Sequence, residues 1–142
     1  MAGRDAIQFR RGKKVILRVE NLVQEFPVGR GKVVHAVSDI SFDLQKGETL
    51  GIVGESGCGK STTARAMVQL PPPKSGRVIL DPGSDKEVDL TGLSGSALRA
   101  ARPRLQMIFQ DPISSLNPRR RISDIVAEGL EIRSPNGLGP EG

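Results

Sequence analysis

A chain of 142 residues, 37% hydrophobic and 26% charged, has the composition of a soluble globular protein and the length of one ordinary domain rather than two. Aromatics at 3%, with no Trp or Tyr, make any core aliphatic; the apolar runs fall far short of the roughly 20 residues of a bilayer span, and the single cysteine, Cys58, excludes an internal disulfide or a cysteine-rich metal site. The net charge of +5 lies wholly in the segment ending at Lys32, where Arg4, Arg10, Arg11, Lys13, Lys14, Arg18, Arg30 and Lys32 face only Asp5, Glu20 and Glu25.

In chain order, residues 1–14 are basic with no apolar stretch behind them, so they are not a signal peptide, and a cytoplasmic location is expected. No nucleic-acid motif accompanies the charge, which makes this segment a solvated, flexible terminus. Val15 to Glu20 and Ile40 to Leu44 alternate apolar and polar, as half-buried strands do. Pro27 to Lys32 reads as a turn between them. Thr49-Leu50-Gly51-Ile52-Val53 runs apolar without alternation and predicts a strand buried on both faces. A glycine-rich loop follows, then a helix from about Lys60 to Leu70 that Pro71-Pro72-Pro73 stops.

Arg77 to Asp81 predicts a short strand, closed by the turn Asp81-Pro82-Gly83. A serine-capped helix is expected from Ser94 or Ser96 to Arg102, and a second buried strand over Leu105 to Phe109. Asp111 to Arg121 reads as a loop, with Ser123 as the cap of a last helix reaching about Ile132. Residues 134–142, rich in glycine and proline, predict disorder. There is no internal repeat.

Gly54-Glu55-Ser56-Gly57-Cys58-Gly59-Lys60-Ser61 meets the phosphate-loop pattern G-x-x-x-x-G-K-[ST], also known as Walker A. The glycines let the backbone curl so that successive N–H groups point at phosphate oxygens. The helix that starts there, with Thr62 in its first turn, offers unbonded N–H groups and a positive dipole end. Lys60 supplies a full charge for the β- and γ-phosphates and Ser61 a hydroxyl for Mg²⁺. A buried-type strand before the loop and a helix after it are the context this motif requires. The ligand expected is MgATP. Cys58 fills a variable position, although a helix N-terminus can make a thiol reactive; bound nucleotide is expected to shield it.

The loop alone does not separate a transport ATPase from a GTPase or a small-molecule kinase. Glu48 to Arg65, ETLGIVGESGCGKSTTAR, resembles the ATP-binding subunits of ABC transporters. Gln106-Met107-Ile108-Phe109-Gln110-Asp111-Pro112, followed by Ser114-Ser115-Leu116-Asn117-Pro118-Arg119, resembles the Q-loop of the oligopeptide and dipeptide importer branch. Glu25-Phe26-Pro27-Val28 and Val37-Ser38-Asp39-Ile40-Ser41-Phe42 match that family's opening strands, so the likeness extends from about Ile16 to Ile132.

The resemblance implies that Gln110 touches Mg²⁺ and the attacking water, and that Phe26 takes the place of the aromatic residue that stacks on adenine. The family often has Tyr there; a phenyl face stacks but brings no hydroxyl. It also places Asn117 to Arg121 where the family meets its membrane-spanning permease subunits, and it implies a second ATP-binding subunit. The location implied is peripheral, on the inner face of the cell membrane.

Three further parts of the family's machinery do not follow Gln110: the LSGGQ signature, an apolar strand ending in Asp-Glu, and a switch histidine. Leu93-Ser94-Gly95-Ser96 and Val78-Ile79-Leu80-Asp81 imitate the first two but stand before the Q-loop, and Pro82 occupies the place of the catalytic Glu. His35 precedes the phosphate loop and reads as a partly exposed strand residue. The fold expected is therefore α/β, a P-loop NTPase core of the ABC type over residues 15–133, with an antiparallel β portion and an end before the signature. ATP binding with little or no hydrolysis is expected. The alternatives are an inert or regulatory fragment and, less favoured, a P-loop small-molecule kinase.

Overall fold

The computed structural model describes residues 13–111 and 116–133. Most of the basic N-terminus and all of residues 134–142 lie outside them, so the expectations of flexibility and disorder there do too. The chain divides into two units, one ending at Leu105 and the other beginning at Gln106.

In the first unit, β1 (Val15–Pro27) and β2 (Val33–Gln45) form a long antiparallel hairpin with Val19 opposite Phe42 and Phe26 opposite Val34. Both strands run far beyond the stretches whose alternation announces them. The register slips between Val19 and Leu22 and again between Gln24 and Glu25. Asn21 and Asp39 both take left-handed backbone conformations, and the Asn21 side-chain amide donates to Asp39 Oδ1 at 2.7 Å. A bulge shifts the inward set by one residue, which is why the buried side chains on β1 jump from Leu17 and Val19 to Leu22 and Gln24.

β3 (Ser75–Leu80) pairs antiparallel with the other edge of β1, and β4 (Val88–Asp89) with β3, giving the sheet order β2-β1-β3-β4. At two residues, β4 is too short to leave a periodic signal. One core gathers Leu17, Val19, Leu22, Val78 and Leu80 from the sheet with Leu90, Ala66 of α1 (Lys60–Met67) and Ala101 of α2 (Gly95–Ala101). Burying each Val or Leu fully contributes about 1.5–3 kcal/mol.

Helix α1 ends at Met67, three residues before the predicted stop. Gln69 enters the left-handed region, its N–H bonds Ala66 O at 3.0 Å, and Leu70 N–H bonds Arg65 O at 2.9 Å. These two bonds satisfy the last carbonyls of the helix, in the Schellman arrangement. Ser94 occupies the N-cap of α2, although its hydroxyl makes no capping bond.

Two predicted strands are absent. Thr49 to Val53 is irregular, with Leu50 43%, Ile52 45% and Val53 91% exposed. A strand buried on both faces needs backbone partners along its edges. β1 is already flanked by β2 and β3, and no strand among the described residues flanks 49–53. Leu105 packs against the core of the first unit, but Gln106 to Phe109 is irregular and Ile108 is 92% exposed.

In the second unit, Asn117 organises a turn by accepting the Arg119 N–H on Oδ1 at 3.0 Å and the Arg120 N–H on its carbonyl at 3.1 Å. The helix α3 (Ile122–Arg133) follows. Ser123 lies inside it and does not cap it: the first turn closes on the Arg121 carbonyl, and the Ser123 hydroxyl reaches Asp124. No helix of the described residues is long and apolar enough to cross a membrane.

Candidate functional site

The glycine-rich loop leaves the exposed segment ending at Val53 and runs into α1. Gly57 (φ +80°) and Gly59 (φ +92°) occupy left-handed backbone that L side chains rarely adopt. Gly59 is required for space as well, because a Cβ there would lie 2.1 Å from the Ala36 carbonyl oxygen. At Gly54 a Cβ would meet the Cys58 sulfur at 2.5 Å. The loop is thus seated on the start of β2, and its glycines have steric as well as conformational reasons.

The first intrahelical bond of α1 joins Thr63 N–H to Gly59 O at 2.8 Å, and the Thr63 hydroxyl donates to the same oxygen at 2.9 Å. The N–H groups of Lys60, Ser61 and Thr62 therefore precede the helical ladder, where an N-terminus presents donors and positive potential to an anion. The first turn contains no acidic side chain to oppose that anion. Lys60 folds back over the loop, donating from Nζ to Gly54 O at 2.6 Å and Glu55 O at 2.5 Å. Its ammonium also lies 3.5 Å from the Cys58 sulfur.

A cleft of about 360 Å³ beside the loop is lined by Cys58, Gly59, Lys60 and Thr63 on one side and by His35, Ala36, Val37 and Ser38 of β2 on another. Sequence pattern marks His35, Val37 and Ser38 only as strand residues and gives no sign that they, or Ala36, border the loop. His35 is exposed, as expected, and its Nδ1 lies 2.8 Å from Glu25 Oε1. The Glu25 carboxyl is held below its ordinary range chiefly by a hydrogen bond from Lys74, with His35 adding to it.

Of the other predicted residues, Ser61 is exposed in the first turn of α1, and Glu55, Ser56 and Gly57 lie along the exposed loop. Phe26, 37% exposed at the end of β1, is outside the core and does not line the cleft. Gln110 is exposed in the second unit. Asp81, at the end of the strand that imitates an acidic motif, is engaged by Arg104 at 2.7 Å and Lys14 at 3.4 Å. Among the described residues no group of three or more His, Cys, Asp or Glu side chains is placed to hold a metal ion. A hydroxyl such as that of Ser61 suits a hard cation whose remaining ligands come from phosphate and water.

The sequence pattern of the ABC transporter family matches residues 37–134. The chain is 48% identical over 122 residues to the "Probable peptide ABC transporter ATP-binding protein y4tS" of Sinorhizobium fredii, across 82% of this chain and 33% of that one. It is 48% identical over 117 residues to the oligopeptide transport ATP-binding protein OppF of Bacillus subtilis, covering 82% of this chain and 37% of the relative. This chain therefore spans about a third of the length of these curated relatives. Its fold matches the dimeric structure of a bacterial ABC transporter cassette with a TM-score of 0.72, over 88% of this chain and 51% of that one, at 22% identity.

Proposed function

The chain belongs to the ABC transporter family, and from that premise we propose that it forms the phosphate-binding part of an ATP-binding subunit that energises peptide uptake. The observation that carries this reading is the loop itself. Gly59 seats it on Ala36, three N–H groups stand ahead of the α1 ladder, and Lys60 lies across it. Backbone donors fixed in advance cost nothing to reorganise when an anion arrives. Peptide uptake is supported by the names of the relatives above.

In this reading MgATP binds with its phosphates against the N–H groups of Gly57 to Thr62 and the Lys60 ammonium. Bound Mg²⁺ would supply charge neutralisation to the phosphates, and the Ser61 hydroxyl is the group of this loop that would hold it. Phe26 offers a ring to adenine. The 142 residues turn ATP over slowly or not at all, because hydrolysis needs a group to orient or deprotonate water, and no acidic residue in the sequence matches that role. Permease subunits and a second ATP-binding subunit are the partners proposed, at the cytoplasmic face of the membrane.

Calorimetric titration of the monodisperse chain with MgATP, beside Lys60→Ala, tests the reading. Binding by the wild type that Lys60→Ala abolishes supports it. Equal titrations overturn it, and brisk turnover lost in Lys60→Ala overturns the slow-hydrolysis part.

A further inference from the structure

Ala36 is the extra residue of a bulge in β2: Gln24 is paired with Val37 and Glu25 with His35, so one step on β1 answers two on β2. A bulged residue lies outside the regular ladder, and the direction of its carbonyl is set by the pairs on either side. That carbonyl is the surface on which Gly59 rests, with Val37 Cγ2 as the next neighbour at 3.5 Å from a Cβ position.

Both flanks of the bulge are pinned. On one, His35 Nδ1 meets Glu25 Oε1 at 2.8 Å and the Lys74 ammonium donates to Glu25 Oε2. On the other, the Gln24 side chain, in a residue only 4% exposed, accepts the Lys74 backbone N–H on Oε1 at 3.0 Å. Lys74 thus serves both flanks, through its ammonium and its amide. The Glu25 side chain is 14% exposed, whereas those of His35 and Lys74 are 63% and 60% exposed. The carboxylate is the sheltered centre of the cluster.

We propose that Glu25, His35 and Lys74 are positioning residues for the phosphate loop, fixing the Ala36 carbonyl under Gly59 and so setting affinity for the polyphosphate part of the ligand. This rests on the nucleotide-binding reading above. No other charged side chain touches His35 among the ion pairs of the described residues, and Lys60 and Cys58 share the cleft it lines.

Two ligands separate an effect at the phosphate loop from contact with base or ribose: MgATP, and inorganic tripolyphosphate with Mg²⁺, which has no base or sugar. His35→Ala and Glu25→Ala each weaken both ligands by a similar factor of about 3 to 10. The double variant is little weaker than either single one, because the two residues act as one unit. His35→Lys, which keeps a hydrogen-bond donor opposite Glu25, recovers affinity for both relative to His35→Ala. Thermal melts check that each variant remains folded at the titration temperature.

Weakening of MgATP alone overturns the proposal, since it places His35 against base or ribose. A lowered melting temperature with unchanged affinities also overturns it, and so does failure of His35→Lys to recover affinity. The two readings fail differently. If the wild type binds neither ligand, or Lys60→Ala binds as tightly, the nucleotide reading falls and takes this one with it. If Lys60→Ala abolishes binding while His35→Ala leaves it intact, only this one falls.

Discussion

Gly76 passes so close to Leu22 that a Cβ on it would lie 2.6 Å from the Leu22 Cα and 2.5 Å from the Asn21 carbonyl oxygen. This is where β3 crosses the bulge in β1, and the atoms in the way are backbone, which cannot rotate aside. Gly76 also holds φ at +98°. Gly76→Ala is expected to destabilise the fold by more than about 2 kcal/mol, combining steric and conformational strain. Gly83→Ala is the control: it has positive φ (+73°) and open space around it, so it should cost only about 1 kcal/mol. Urea melts of the two variants check the difference, and equal costs would mean the close approach is not what requires glycine at 76.

Leu22 is fully buried at the centre of the same contact, beside Val19 and Val78. Leu22→Ala removes buried methyl groups from a core whose helical members, Ala66 and Ala101, are themselves small. The expected loss is about 2–5 kcal/mol, read as a lower urea midpoint with an unchanged slope.

Acid should weaken the first unit from a defined point. Asp81 is held below the ordinary carboxylate range first by a hydrogen bond from Arg104, against an opposing effect of burial, with Lys14 adding to the lowering. Glu25 is lowered first by Lys74. Both are depressed on folding, so their stabilisation is fully present above the unfolded carboxylate range, about pH 4, and is lost as pH falls through the lower folded values. Melting temperature should hold level from neutral pH to about 5 and drop below about 4. Asp81→Asn should lower the neutral value and flatten the acid limb, and added salt should shrink the difference because these groups meet solvent. An acid limb unaltered in Asp81→Asn would remove this pair from the account.

Cys58 is an exposed thiol that lines the cleft with Lys60. Bound MgATP should slow its alkylation several-fold in the wild type and have no effect in Lys60→Ala. Equal labelling with and without MgATP in the wild type would show that the ligand does not cover the loop.

Sequence pattern revealed the loop and α1 because glycine, lysine and serine at fixed spacing have few other uses, and the structure places Gly54 to Gly59 ahead of that helix with Lys60 and Ser61 in its first turn. It revealed the hairpin only in part. Alternation stops at Glu20 because Asn21 turns left-handed and shifts the inward set, and a period-of-two reading cannot see past a bulge. Thr49 to Val53 shows the opposite failure. Its composition is that of a buried strand, but a ladder needs a neighbour, and composition does not say where one lies. Ala36 carries no chemical signal at all; its part in the site is a carbonyl direction, which side-chain identities do not encode.

Under the nucleotide-binding proposal, the two carbonyl oxygens held by the Lys60 ammonium would make phosphate entry a substitution rather than a simple addition. An incoming oxyanion must displace acceptors already in place, and its gain is the difference between two sets of charge-assisted bonds. A neutral acceptor has almost nothing to offer in that exchange, while a polyanion has a great deal. Under that proposal the lysine would sort ligands by charge density at the moment of entry.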